Sequence, residues 1–180
     1  MRYLIITIFI IVPFFVTSCK NTKKEDKINI KNIIKQNNAD SSINFIELNE
    51  LEKLMAKKPK KVMILFYQPN CPYCNEMKEN TLLDNNIIKI VNDNFYAVMI
   101  NGKSKDEIMF RGITYVNDHP NPEDNPWRHN LFVELVNPYN GAYYWPTTVF
   151  LNEEFEKIRD FPGLQKIPQF KRALHNMIKR

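Results

Sequence analysis

Three cysteines occur in the 180 residues, and two of them are separated by only two positions, in Cys71-Pro72-Tyr73-Cys74. Thiols at that spacing can close into a disulfide and reopen by exchange, a chemistry in which the thiolate is the attacking species. The residues that follow, Asn75-Glu76-Met77-Lys78-Glu79, favour a helix, which puts Cys71 at its N-terminus. Unpaired backbone N–H groups and the positive end of the helix dipole stabilise an anion there. Thiols so placed ionise at about 3.5–7.5 instead of about 8.5. Pro72 suits the first helical turn, where an N–H has no partner to lose. The spacing therefore predicts an exposed, ionised nucleophile at Cys71. Cys74 then lies one turn behind, able to attack a mixed disulfide formed on Cys71. Two blander readings stand beside this one. A structural zinc site takes about four N or S ligands, and His119, His129 and His175 show no spacing that would complete it. An inert structural disulfide gains little from closing so short a loop. No metal is expected, and no cofactor besides the redox-active pair itself.

Elements must exist to hold that pair. The apolar run Lys60–Tyr67 is rich in β-formers, bounded by Pro59 and Pro69, and reads as a buried strand leading into the motif. Phe45–Lys58 carries Phe45, Leu48, Leu51, Leu54 and Met55 at helical spacing and reads as a helix covering one sheet face. Phe95–Asn101 reads as a buried central strand, and Ile167–Lys179 as an amphipathic helix with Phe170, Leu174, Met177 and Ile178 on one face. Glu76 and Glu79 belong on a solvated helix surface. Strands alternating with helices give an α/β sandwich with a mixed sheet.

Composition excludes other classes. Hydrophobic residues are 44% and charged residues 25% of the chain, too apolar for disorder. The net charge of +5 is spread out, with no arginine-rich arm, so no nucleic-acid partner is expected. Only four glycines occur, and neither GxGxxG nor GxxxxGK[ST] is present.

The N-terminus reads as an address. Residues 1–18 hold one charge, Arg2, then the apolar run Leu4–Val16. That run is shorter than the roughly 20 residues a spanning helix needs and fits a signal-peptide core. Val16-Thr17-Ser18-Cys19 resembles a bacterial lipobox, which implies cleavage before Cys19 and acylation of that cysteine. Residues 19–42 read as a flexible tether and 43–180 as the domain. The expected location is the bacterial cell envelope, lipid-anchored and facing the periplasm. Lys20 stands where an inner-membrane retention signal carries Asp, which tilts a Gram-negative source towards the outer membrane. Outside the cytoplasm disulfides persist, and with Cys19 acylated, Cys71 and Cys74 are the thiols that remain.

From about residue 45 to 180 the chain resembles the thioredoxin superfamily. The resemblance rests on the strand into Cys71-Pro72-Tyr73-Cys74 and on Trp145-Pro146-Thr147-Thr148 followed by the strand Val149–Leu151. It rests also on the strand Lys157–Phe161 and on Gly163 before the terminal helix. It implies a thioredoxin-like three-layer sandwich in which Pro146 is cis. It also implies that Pro72, Tyr73, Trp145, Pro146 and Thr147 face the substrate, with the backbone at Trp145 pairing with a bound peptide as an added strand. The implied activity is thiol–disulfide exchange with protein thiols and disulfides, re-reduced or re-oxidised by a further electron carrier. A reductase direction follows only from analogy with other lipid-anchored members. The strings CPYCNEMKENTLLDNNIIKIVNDNFYAVMIN and FRGITY…HNLFVEL…YWPTTVFL resemble secreted bacterial thioredoxin-like proteins in particular.

The chain departs from that pattern in three ways. Pro-Tyr between the cysteines is the glutaredoxin dipeptide. Leu65 stands where cytoplasmic thioredoxins carry a buried Asp that assists the second cysteine, and Met99 replaces its lysine partner; losing both avoids a lone buried charge. An insertion, about 108–144, precedes the Pro146 strand. It holds the proline-dense loop from His119 to Trp127 and a helix-like run Arg128–Val136 with Leu131, Phe132 and Leu135 on one face. Trp127, Tyr139, Tyr143, Tyr144 and Trp145 either pack this insert onto the domain or form an aromatic wall for a partner. His129, at a helix start, reads as a solvated cap or a packing residue. The alternative to an oxidoreductase is a non-catalytic thioredoxin-fold module that presents the aromatic insert to a partner protein.

Overall fold

The computed structural model describes residues 41–118 and 127–180. The expected signal segment 1–18 with Cys19, all but the last two residues of the expected tether 19–42, and residues 119–126 of the proline-dense loop lie outside the described residues. At the tether's end the backbone carbonyl of Ser42 already accepts from Asn92 Nδ2 at 3.0 Å, and the next residue, Ile43, is buried.

Strand β1, Lys61–Tyr67, has five consecutive buried residues, so both of its faces must be covered and it cannot lie at an edge. It pairs in parallel with β2, Phe95–Asn101, in register from Lys61↔Phe95 to Tyr67↔Asn101. Parallel neighbours need a crossover. Here it is built from α2, Pro72–Glu79, a 3₁₀ turn at Thr81–Leu83 and α3, Asn85–Asn94. Asp84 starts α3 by accepting from the amides of Asn86 and Ile87, both at 3.0 Å. On its other side β1 pairs antiparallel with β5, Thr147–Leu151, which pairs antiparallel with β6, Lys157–Pro162. The sheet order is β2-β1-β5-β6.

The expected central position of Phe95–Asn101 is corrected: β2 is an edge strand. Its apolar run arises because the outer edge is closed by the chain ahead of the first helix. Phe45 bridges to Ala97, and the Ile46 amide donates to the Ala97 carbonyl at 2.9 Å. That role removes Phe45 from the helical stripe, so α1 runs over Leu48–Lys57 and turns Leu51 and Met55 inward.

Two apolar clusters sandwich the sheet. Met63, Leu65 and Phe150 face one side with Met77 of α2, Ile87, Ile88 and Val91 of α3 and the C-terminal helix. That helix, α5, spans Ile167–Ile178 after α4, Asn130–Leu135, in chain order. Its Phe170, Leu174 and Met177 are buried as the periodicity predicts, and Ile178 is half-buried. Val62, Ile64, Phe66, Val149 and Leu151 face the other side, with Leu51 and Met55 of α1 and Leu131, Phe132 and Leu135 of α4. Helices thus cover both faces of a mixed sheet in three layers.

The insertion also holds an element the sequence reading does not contain, a hairpin of β3, Ile108–Phe110, and β4, Ile113–Tyr115. Its turn is Arg111-Gly112, with φ of 56° and 71°. Two consecutive positive φ values match the right-handed twist of a tight hairpin. Phe110 anchors it in the α1 layer, against Phe155 at 5.5 Å between ring centroids. Among the described residues no helix is long and apolar enough to cross a membrane.

Candidate active site

β1 ends at Tyr67 and the chain turns through Gln68-Pro69-Asn70. Asn70 takes the left-handed conformation, with φ of 56°, which Asn tolerates better than most residues. Cys71 follows in extended conformation as the N-cap of α2, and Pro72 is the first helical residue. The cap is a sulfur: the Cys74 amide donates to Cys71 Sγ at 3.2 Å. The Cys71 carbonyl opens the helical ladder by accepting from Asn75 at 3.0 Å.

Cys71 and Cys74 form a disulfide, with their Cα atoms 5.2 Å apart. Cys74 shares the inward face of α2 with Met77, three residues on. The expected exposure of Cys71 is corrected: it is 4% exposed and Cys74 1%. A sulfur bonded to Cys74 and turned to cap the helix faces the first turn and not the solvent. Pro72 and Tyr73 project instead, Tyr73 at 62% exposure. Glu76 and Glu79 are exposed as expected.

The second half of the site is the start of β5. The Trp145–Pro146 peptide is cis. Since Thr147 pairs with Phe66, Pro146 lies alongside the end of β1, the end from which the cysteine loop departs. Topology thereby gathers Cys71-Pro72-Tyr73-Cys74 and Trp145-Pro146-Thr147 at one end of the sheet. Thr147 is fully buried, and its hydroxyl donates to the Tyr144 carbonyl at 2.7 Å. Leu65 and Met99, the apolar replacements, are direct cross-strand partners one layer below.

The aromatic residues of the insert divide between the two expected roles. Trp145 stacks on Phe132 at 4.4 Å between centroids, and Tyr143 packs on the same ring at 5.4 Å. Arg128 sits 4.4 Å over Tyr143. The Lys105 ammonium lies 5.5 Å from the centre of the Trp127 ring. Tyr139 and Tyr144 are exposed and meet edge-on at 6.2 Å. Packing holds the first group; a free aromatic surface remains in the second.

Two further residues shape this end of the fold. Gly102, directly after β2, donates to the Tyr67 carbonyl and accepts from the His129 amide, both at 2.8 Å, tying the β1 end to the insert. A β-carbon at Gly102 would run into the Trp145 ring, so only glycine admits the stack. The sequence hint was a glycine, one of only four, immediately following a strand. His129 caps α4 and is fully buried, so of the two expected roles, solvated cap and packing residue, it combines the cap with the packing. Its Nδ1 accepts from the Leu131 amide at 3.1 Å, and Nε2, 3.1 Å from the Asp106 carbonyl, is then the donor. Both nitrogens are committed and the ring is neutral. Burial pushes its pKa below the ordinary 6.5, against the opposing pull of the Asp106 carbonyl and the Asp106 and Asp118 carboxylates.

A folded-state pKa below the unfolded value means that the unfolded chain takes up the proton first, so stability falls as acid is added. The melting temperature is expected to drop between about pH 7 and 5.5, ahead of most carboxylate titration. His129→Asn retains a capping side chain and should flatten that slope; an unchanged slope would assign the pH dependence elsewhere.

The chain matches the family model of the thioredoxin-like domain over residues 48–178. No curated protein matches it at a significant level. Among solved structures it is similar to a thioredoxin from Thermus thermophilus, with 20% identity over 75% of this chain and 86% of that one, at a TM-score of 0.52. It is similar also to DsbH oxidoreductase, with 12% identity over 77% and 85% of the two chains, at a TM-score of 0.50. At these identities the likeness is one of fold. The strand–turn–CxxC–helix unit, the mixed sheet β2-β1-β5-β6 and the match across most of the chain together make it a member of the thioredoxin-like domain family.

Proposed function

We propose that the protein is a membrane-anchored, extracytoplasmic thiol–disulfide oxidoreductase acting on protein disulfides, in the reducing direction. The observation that carries this reading is the Cys71–Cys74 disulfide at the N-terminus of α2, at the sheet end shared with Trp145-Pro146-Thr147. In the reduced protein the Cys71 thiolate, stabilised by the amides and dipole of α2, attacks one sulfur of a client disulfide. One client thiolate leaves and a Cys71–client mixed disulfide forms. The Cys74 thiolate then attacks Cys71 Sγ and releases the second client thiolate, restoring the Cys71–Cys74 bond. Two electrons pass to the client, and an external dithiol carrier returns them. Pro72 and Tyr73 border the client, whose extended backbone pairs at Trp145 beside Pro146, while Thr147, buried beneath, holds the turn through the Tyr144 carbonyl.

The reading as a non-catalytic binding module draws on two observations: the low exposure of Cys71 and the free surface of Tyr139 and Tyr144. Reduction of insulin disulfides separates the two. The full chain should reduce insulin with dithiothreitol as electron source. Cys71→Ser should lose at least a hundredfold of the rate, while Cys74→Ser should accumulate a mixed disulfide through Cys71. Wild-type activity no higher than that of Cys71→Ser would support the binding module.

The envelope location is supported by the apolar run Leu4–Val16 and by Thr17-Ser18-Cys19. Expressed in a bacterium, the wild type should partition with membranes and carry labelled fatty acid. Cys19→Ala should carry none; label retained in that variant would place the anchor elsewhere.

A further inference from the structure

Thr147 and Thr148 are both completely buried, yet they are not equivalent. The Thr147 hydroxyl is satisfied by the Tyr144 carbonyl, whereas Thr148 Oγ1 is buried with no hydrogen-bond partner. An unpaired hydroxyl in a core is costly, and a methyl group of the same shape would avoid the cost. Its surroundings make it more unusual. Thr148 pairs with Leu65 on one side and Phe161 on the other, and Leu65 pairs with Met99. Cross-strand partners point to the same face, so Met99, Leu65, Thr148 and Phe161 form one row across the sheet. Leu65 belongs to the cluster that includes Met77 of α2, and Met99 and Phe161 pack against that cluster. The inward face of α2 that carries Met77 also carries Cys74. Within this row, under the motif helix, Thr148 supplies the one polar side chain.

The geometry points to Thr148 as the hydrogen-bond donor that serves Cys74 when the disulfide opens. This inference rests on the oxidoreductase reading and assigns to its second step a hydrogen bond that stabilises the attacking thiolate. In the oxidised protein the Cys74 sulfur is bonded to Cys71 and is a weak acceptor, so the hydroxyl has no partner. When Cys71 is held in a mixed disulfide, Cys74 is free, and its thiolate is a strong, charge-assisted acceptor for an O–H. The hydroxyl donates without transferring its proton; the Cys74 proton passes to solvent. The thiolate attacks Cys71 Sγ, the Cys71–client bond breaks, and the departing thiolate takes up a proton from water. A neutral donor suits an apolar row in which a carboxylate would be an unpaired buried charge.

Ellman's reagent, used with the reduced full chain carrying Cys19→Ala, separates the two remaining cysteines. The first thionitrobenzoate is released as Cys71 is derivatised, the second as Cys74 resolves the adduct. Thr148→Val should leave the first phase within twofold of wild type. It should slow the second about tenfold and move its pH midpoint up by about one unit. Thr148→Ser should restore both, and Thr148→Ala should repeat the defect if valine disturbs the fold. The unfolding midpoint of Thr148→Val should stay level or rise, since an unpaired buried hydroxyl has been removed. A second phase unchanged in rate and pH profile in Thr148→Val would overturn the assignment while leaving the oxidoreductase reading intact. Release of only one thionitrobenzoate per chain in the wild type would overturn both.

Discussion

One amide, that of Cys74, points at one sulfur, that of Cys71, and the rest of the site is arranged around this contact. A helix N-terminus leaves several N–H groups without intrahelical partners. Filling the cap position with a sulfur puts that atom where those donors and the helix dipole act on it. Each neighbouring element limits where that cap can lie. β1 is covered on both faces and paired on both edges, so the point at which the chain leaves the sheet is fixed. Asn70 takes the left-handed turn that lets the helix begin at once, and Met77 seats α2 on the cluster below.

The insertion is attached to the same place. Gly102 links the Tyr67 carbonyl to the His129 amide, leaves room for Trp145, and lets Phe132 of α4 stack on the indole. Trp145 immediately precedes Pro146, so the packing of α4 and the start of β5 are one unit. With the Trp145 ring committed inward, its backbone is the part left to meet the proposed client. Side chains that face outward at this end of the fold, among the described residues, include Pro72, Tyr73, Tyr139 and Tyr144.

What could be read from the sequence was what local chemistry decides. A proline after a cysteine before a helix-forming run determines the cap, and the run from Val62 to Phe66 can only be a covered strand. Trp145-Pro146 was legible through family resemblance. Strand order was not, because β2 shows the same apolar content at an edge covered by Phe45 as it would in the middle. The β3–β4 hairpin is three residues a side and turns on Arg-Gly, a weaker signal than Asn-Gly or Asp-Gly. The burial of His129 depends on a carbonyl 23 residues away, and the isolation of the Thr148 hydroxyl on which residues share its row. Tertiary pairing decides both. The burial of Cys71 was missed because motif spacing places a sulfur along the chain without saying which way it turns.

The central claim is that Cys71 and Cys74 are a working redox couple and not a staple. Equilibrating the protein in dithiothreitol and glutathione buffers of known potential, then trapping and counting free thiols, tests it directly. A reversible two-electron transition is expected, with a midpoint between about −270 and −120 mV, the span of the exchange enzymes. A bond that remains closed below about −300 mV, as structural disulfides do, would contradict it.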